Sequence, residues 1–297
     1  MRQNRRLRWA ALPIAATLTI VLAGCTQAQL NGFLPGFVEG EAPTTNQTER
    51  ISGLWVTSWI VLLVVGVVTW GLTIWAVVVY RRRRGQTGLP VQLRYNMPIE
   101  VFYTVVPLIL VLGFFAFTVR DQNEIEARFE NPDVTIEVIA KQWAWDFNYV
   151  DENVYSPGIQ GQVEEGSNGS LVESEVPTLV LPVNQKIEIE LESRDVIHSF
   201  WVVDFLYKKD MYPGKTNYMS IEPMREGTYA GKCAELCGEY HSLMLFNVEV
   251  VSQAEYDAYI DSLRAAGQTG QLSSEYDRNQ NLPGTGAPEV VEHEEEN

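Results

Sequence analysis

Residues 231–244 read Gly231-Lys232-Cys233-Ala234-Glu235-Leu236-Cys237-Gly238-Glu239-Tyr240-His241-Ser242-Leu243-Met244. Four potential metal ligands, Cys233, Cys237, His241 and Met244, follow at spacings of four, four and three. Short β-branched runs flank them, Thr228–Lys232 before and Leu245–Val251 after. Further out the pattern recurs in Val134–Ile139, Thr178–Pro182, Lys186–Glu192, Val196–Phe205 and Thr216–Ile221. Turn signals such as Pro213-Gly214 and Glu226-Gly227 separate these runs. Lys141–Tyr149 adds an aromatic-rich strand. Many short strands punctuated by turns predict an all-β sandwich or barrel, placed at residues 121–265. Ser252-Gln253-Ala254-Glu255 has the form of a capping box and opens a short amphipathic helix to about Arg264. Residues 151–177, rich in Gly, Ser and Glu, read as a surface insertion. Residues 266–297 read as a disordered acidic tail.

Working towards the N-terminus, the chemistry changes. Leu54–Tyr80 is 27 residues without a charge, about 40 Å as a helix. Val101–Val119 is a second uncharged stretch, bounded by Glu100 and Arg120. The connection between them carries Arg81, Arg82, Arg83, Arg84 and Arg94 and no acid, which places it on the cytoplasmic side. Residues 54–120 therefore form a transmembrane helical hairpin, with both ends and everything after residue 120 facing outward. At the start, four arginines precede the apolar run Trp9–Ala23 and the sequence Leu22-Ala23-Gly24-Cys25. That is the form of a bacterial lipoprotein signal peptide over 1–24, with a lipid on Cys25 and an exposed leader over 25–53.

The 297 residues hold 22 Lys and Arg against 38 Asp and Glu, a formal charge of −16. Residues 121–297 alone carry 11 basic and 34 acidic residues. Such a surface excludes nucleic acid as a general partner and suits a basic one. Three cysteines are too few for a disulfide scaffold.

Returning to the ligand cluster, His198 lies 35 residues before Cys233 on a predicted strand. Thiolate, imidazole and thioether donors favour copper or zinc over magnesium or calcium. Two thiolates and two imidazoles alone would also serve zinc, and a bare pair of cysteines in an oxidising compartment could form a disulfide. Met244 discriminates, because a thioether is a poor zinc ligand and a common weak axial copper ligand. With two cysteines, two coppers can share both sulfurs, each taking one histidine and one weak donor.

The hairpin, the sandwich and Cys233-x3-Cys237-x3-His241-x2-Met244 together resemble subunit II of bacterial cytochrome c oxidase of the aa3 type. The stretch from His198 through Lys208, Asp210, Pro213 and Gly214 to Asn217 also resembles that family's loop after its first copper-ligating histidine. The resemblance implies a cupredoxin domain with a dinuclear copper centre (CuA). Cys233 and Cys237 would bridge the coppers, and His198 and His241 would each ligate one. Met244 would be a weak axial ligand, with the backbone carbonyl of Glu235 serving the other copper. The Glu235 carboxylate would reach a magnesium shared with subunit I. Trp143, in Gln142-Trp143-Ala144-Trp145, would accept the electron from cytochrome c, with Trp145 as packing. Here the chain departs from the family's pattern at Lys141, usually His, and at Ala144, often aromatic. Asp146, Asp151, Glu152 and Glu239 are candidate acids of the docking face. Glu100 would stand at the mouth of a proton path.

The partners implied are subunit I and other oxidase subunits, a soluble or membrane-bound cytochrome c, and the bacterial plasma membrane. The rival readings are a quinol oxidase subunit II, which lacks these copper ligands, and a copper chaperone or thiol-redox protein. The latter class has a different order of Cys and His. Nitrous oxide reductase would need more histidines than the three present.

Overall fold

The computed structural model describes residues 42–89, 92, 94–165, 171–275 and 290–291. The signal peptide, Cys25 and most of the expected leader and tail lie outside the described residues. The chain divides into a helical unit, Arg50–Ala127, and a β unit built from residues on both sides of it.

The helical unit holds the greater part of α1 (Thr48–Val79) and all of α2 (Met97–Ile125), two helices long and apolar enough to cross a membrane. Both exceed the uncharged stretches read from sequence, because polar residues extend their ends. Hydroxyls within the spans bond back to the carbonyl four residues earlier, Ser58 to Leu54, Thr73 to Thr69 and Thr118 to Phe114. That satisfies them where no water is at hand. Asn96 caps α2 by accepting from the Ile99 N–H, and the Glu100 carboxylate accepts from the Asn96 N–H at 2.9 Å. At the other end of the hairpin, Arg50 pairs with Asp121 and Glu124 across the two helices.

The β unit is a sandwich of two five-stranded sheets. The first is ordered β10-β7-β1-β2-β3, from Asn217–Ile221, Ile187–Ser193, Val134–Lys141, Ala144–Tyr149 and Val154–Ser156. The second is ordered β6-β12-β11-β8-β9, from Thr178–Pro182, Leu245–Val251, Gly227–Cys233, His198–Val202 and Tyr207–Met211. β1 pairs with β7 in parallel and β12 with β6 in parallel; the other pairs within the two sheets are antiparallel. Alternation drives the layering: Val134, Ile136 and Val138 face inward, as do Ile187, Ile189 and Leu191. Between the sheets Trp145 meets Phe200 and Phe246 edge-on, and those two rings stack at 4.8 Å. Gly231 is obligatory beneath this cluster, since a Cβ there would stand 2.3 Å from the Phe246 ring. This is the cupredoxin-type sandwich expected from the strand pattern.

Four boundaries differ from the expectations, each for a physical reason. The expected exposed leader to residue 53 is partly a built element: Thr44, Thr45, Gln47 and Thr48 are buried. The Thr44 hydroxyl donates to the Asp204 carbonyl, and Met224 N–H donates to the Thr44 carbonyl. The 151–177 insertion is not all insertion: β3 completes an edge of the first sheet, and β4 (Gln162–Glu165) and β5 (Leu171–Glu175) pair as a separate hairpin. β9 arises within the stretch read as loop, by pairing with β8. The tail, expected to be disordered from residue 266, is ordered at least to Glu275. There Leu272 is buried and exchanges two hydrogen bonds with the Asn148 side chain. Its β13 (Gln271–Leu272) pairs with β14 (Val290–Val291). The short helix, α3 (Gln253–Ala265), begins with the expected reciprocal Ser252–Glu255 capping box.

Candidate metal centre

β11 delivers Cys233 at its C-terminal end, and the loop to β12 carries the rest. The loop closes on itself: Cys233 N–H donates to the Met244 carbonyl at 3.0 Å, which holds Met244 beside Cys233. A single 3-10 turn, His241–Leu243, rotates His241 back towards Cys237. β8 lies alongside β11 and sets His198 opposite the same point.

The resulting geometry has two halves. The Cys233 and Cys237 sulfurs are 3.8 Å apart, and both residues are free thiols. Around Cys233 Sγ stand His198 Nδ1 at 3.8 Å and the Glu235 carbonyl at 3.2 Å. Around Cys237 Sγ stand His241 Nδ1 at 3.5 Å and Met244 Sδ at 3.7 Å. His198 and Met244 are fully buried, and each cysteine is 4% exposed. Among the described residues, His198, Cys233 and Cys237 are the group close enough to share a metal ion. The donor set is two sulfurs flanked by two imidazoles, a thioether and a carbonyl. That matches the soft and borderline preference of copper. All six expected copper-centre residues converge.

The thiols are electrically unequal. The neighbouring Cys237 thiol lowers the Cys233 pKa, aided by His198, against the opposing effect of burial. The Cys233 thiolate and burial push Cys237 upward. Burial alone would lower the His198 pKa, but the bonds to Asp195 and Cys233 outweigh it and raise it. The pair thus holds one negative charge readily and a second only when a cation replaces the proton.

Sequence reasoning missed what supports these candidate ligands. His198 Nε2 lies 2.8 Å from Asp195 Oδ1, and Asp195 Oδ2 accepts from the Gln142 N–H at 2.6 Å. The Gln142 side chain donates to the Cys237 carbonyl at 2.7 Å. Trp145 Nε1 donates to the Met244 carbonyl and its ring lies 6.4 Å from that of His198, the packing role expected of it. The only trace of Asp195 in the sequence is an acid three residues before His198, a spacing that marks nothing by itself.

A scan against family models matches residues 134–251 to the periplasmic domain of cytochrome c oxidase subunit II. A Streptomyces avermitilis protein named "Probable cytochrome c oxidase subunit 2" is 41% identical over 91% of this chain and 92% of its own. The chain belongs to the cytochrome c oxidase subunit II family. The Corynebacterium glutamicum cytochrome c oxidase subunit 2 is 33% identical over 82% of each chain. Among solved structures, the periplasmic domain of subunit II from Bradyrhizobium japonicum is 28% identical, with a TM-score of 0.39, covering 46% of this chain and 96% of that one. As a subunit II homologue, the chain is part of an oxidoreductase.

The remaining family positions fall in three places. Trp143 is half-buried at the β1–β2 turn, its ring 4.9 Å from that of Tyr240. Glu235 and Glu239 are exposed on the ligand loop. Glu100 lies in the first turn of α2, engaged with Asn96.

One expected docking acid is overturned. Asp146 has no exposure: it pairs with Lys141 at 2.7 Å, accepts from the Gly158 N–H and lies 4.0 Å from Arg194. It points to the opposite face of β2 from Trp145, as strand alternation requires. Glu152 is occupied as well, accepting from the Tyr256 hydroxyl at 3.0 Å. Lys141, the departure from the family's usual histidine, is thereby explained as the partner of Asp146.

Proposed function

We propose that this chain is the copper-bearing, electron-accepting subunit of a proton-translocating cytochrome c oxidase. It takes single electrons from cytochrome c and passes them to haem in subunit I, where oxygen is reduced to water. The observation that carries this reading is the pair of free thiols 3.8 Å apart, each facing an imidazole Nδ1 and one further donor. Cys233 and Cys237 would be shared by two coppers, His198 and His241 would each ligate one, and Met244 and the Glu235 carbonyl would be the weak further donors. Copper bound there supplies one-electron redox chemistry with its charge change spread over two metals.

The protein's part is to make that change cheap. The sandwich fixes His198 and Cys233 on strand ends, and the loop from Cys233 to Met244 is closed by the Cys233 N–H bond to the Met244 carbonyl, so little moves when the charge changes. Asp195 accepts the Nε2 proton of His198 and leaves Nδ1 free to ligate. Burial of both sulfurs keeps water and adventitious oxidants away. The Glu235 carboxylate, exposed on the loop, would reach a magnesium shared with subunit I. Trp143 receives the electron from the donor, and Glu100 leads protons towards subunit I. The arginine-rich 81–94 connection holds the hairpin with the β unit on the outer face of the plasma membrane, and a lipid on Cys25 anchors the same side. The acidic β unit steers a basic donor. A quinol oxidase subunit II reading is disfavoured by the full ligand set, and a chaperone or thiol-redox reading by the two imidazoles and the thioether.

The decisive experiment is electron paramagnetic resonance of the purified, copper-loaded, oxidised protein. A mixed-valent dinuclear copper signal is expected. A mononuclear signal, or copper-free protein, overturns the assignment. For the proton role, Glu100→Gln should impair proton-coupled turnover while leaving copper reduction intact.

A further inference from the structure

The turn that follows Cys237 does more than carry ligands. Trp143 Nε1 is shut off from solvent and has no hydrogen-bond partner among the described residues. Shape, not hydrogen bonding, therefore fixes the indole. On one side is Gly238, at φ +129°, a conformation that side chains other than glycine's rarely adopt. A Cβ there would stand 3.0 Å from Trp143 Cζ2, 3.1 Å from Trp143 Nε1 and 3.0 Å from Gln142 Nε2. The bare Cα is what admits the indole, and it also leaves room for the Gln142 bond to the Cys237 carbonyl. On another side the Tyr240 ring meets the indole edge-on, 4.9 Å between centroids at 77°. Gly238 is covalently joined to Cys237, so the indole abuts main chain one residue from a thiolate of the proposed copper centre.

We infer that Gly238 and Tyr240 are positioning residues. They clamp the Trp143 indole against the main chain after Cys237, and that contact is the last leg of electron delivery to the centre. The inference rests on Trp143 as the electron acceptor. One electron leaves a ferrous haem donor, which becomes ferric, and is gained by the centre; no bond forms or breaks and no proton moves. The two residues touch neither the donor's haem nor the metal. They act only through the indole.

The test uses the intact oxidase and the copper-free subunit in parallel. In the copper-free full chain, the indole N–H resonance of Trp143, assigned by its loss in Trp143→Phe, should shift in Gly238→Ala and in Tyr240→Leu. In the intact oxidase, the first-order rate of electron uptake at saturating reduced cytochrome c should fall about tenfold in both variants. Ångström-scale misplacement at a reacting geometry costs up to about 100-fold. Copper content and the oxidised copper spectrum should remain those of the wild type in Tyr240→Leu. A merely structural role would not spare the spectrum while slowing uptake. In a Trp143→Phe background, Tyr240→Leu should slow uptake no further. Should Gly238→Ala lose its copper, Tyr240→Leu decides alone. A slowed Trp143→Phe with an unaltered Tyr240→Leu overturns the inference by itself. An unaltered Trp143→Phe overturns the reading of Trp143 and the inference with it.

Discussion

Asp195 bonds the Nε2 of His198 at 2.8 Å and, through its second oxygen, the main-chain N–H of Gln142 at 2.6 Å. One carboxylate thus ties a proposed copper ligand on β8 to the turn that presents Trp143. Asp195→Ala should cost about 10- to 100-fold in copper affinity, the usual penalty for losing an outer-shell partner of a ligating histidine. Asp195→Asn, which keeps the shape but not the charge, should lose less. Competition titration with a copper chelator measures both.

The two sulfurs are expected to differ from the thioether in what they control. Cys233→Ser should abolish or grossly alter the copper absorption spectrum. Met244→Leu should shift the reduction potential more than it lowers copper content, as expected of a weak axial ligand. Redox titration beside metal analysis separates the two; an unchanged spectrum in Cys233→Ser would dismiss the bridging role.

Lys141 and Asp146 form a buried pair at 2.7 Å, with Asp146 wholly enclosed. Removing Lys141 leaves the enclosed Asp146 with the Gly158 N–H and Arg194 at 4.0 Å, so Lys141→Ala should destabilise the β unit by less than the about 3–5 kcal/mol of a fully stranded charge. Lys141→Arg should recover most of that. Thermal unfolding of the purified full chain in detergent reports the difference.

Glu137 gives the pH dependence a sign. Burial raises its pKa, with repulsion from Glu192 and Glu190 adding to it; hydrogen bonds from Asn148 and Ser274 oppose. The folded state therefore binds the proton more tightly than the unfolded chain. The stability this confers is fully present below the ordinary carboxylate value and is lost as pH rises through the raised one. Glu137→Gln should unfold at a higher temperature than the wild type at pH 8, and the gap should narrow at pH 5. An equal gap at both would refute the assignment.

Phe246 and Gly231 test the core that carries the site. Phe246→Ala should cost about 3–5 kcal/mol, and Gly231→Ala should be destabilising because the Phe246 ring occupies the place of its methyl. Both should lower the unfolding temperature of the copper-free chain.

What sequence revealed was whatever depends on local order. Thr178–Pro182 and Leu245–Val251 are strands with the expected bounds, since their β-branched runs end at strong turn signals. The ligand loop was legible because its donors are chemically rare and closely spaced. His198 joined it as an upstream histidine on a predicted strand, and the family resemblance then gave it a role. Asp195 was not legible, because an aspartate near a histidine says nothing until the strands are aligned. Asp146 was misread as a docking acid because composition cannot tell which face of a strand is covered. The cover comes from Lys141, Arg194 and Gly158, the last of which lies in the segment read as insertion. Leu272 was assigned to a disordered tail because its ordering depends on the amide of Asn148, 124 residues away. Long-range partners of this kind leave no local periodicity.

The threonines at 44, 45 and 48 have a consequence for how the protein is made. Among the described residues, the β unit is assembled from two pieces of chain that flank the hairpin, residues 42–49 and residues from 128 onward. The contact from Thr44 to the Asp204 carbonyl, and the paired bonds between Asn46 and Glu222, form only when both pieces emerge on one side of the bilayer. A single crossing would put the two pieces on opposite sides and leave the sandwich without its N-terminal strap, with no bridge from Thr45 to Pro223. Completion of the β unit thereby depends on both helices crossing the membrane, not one.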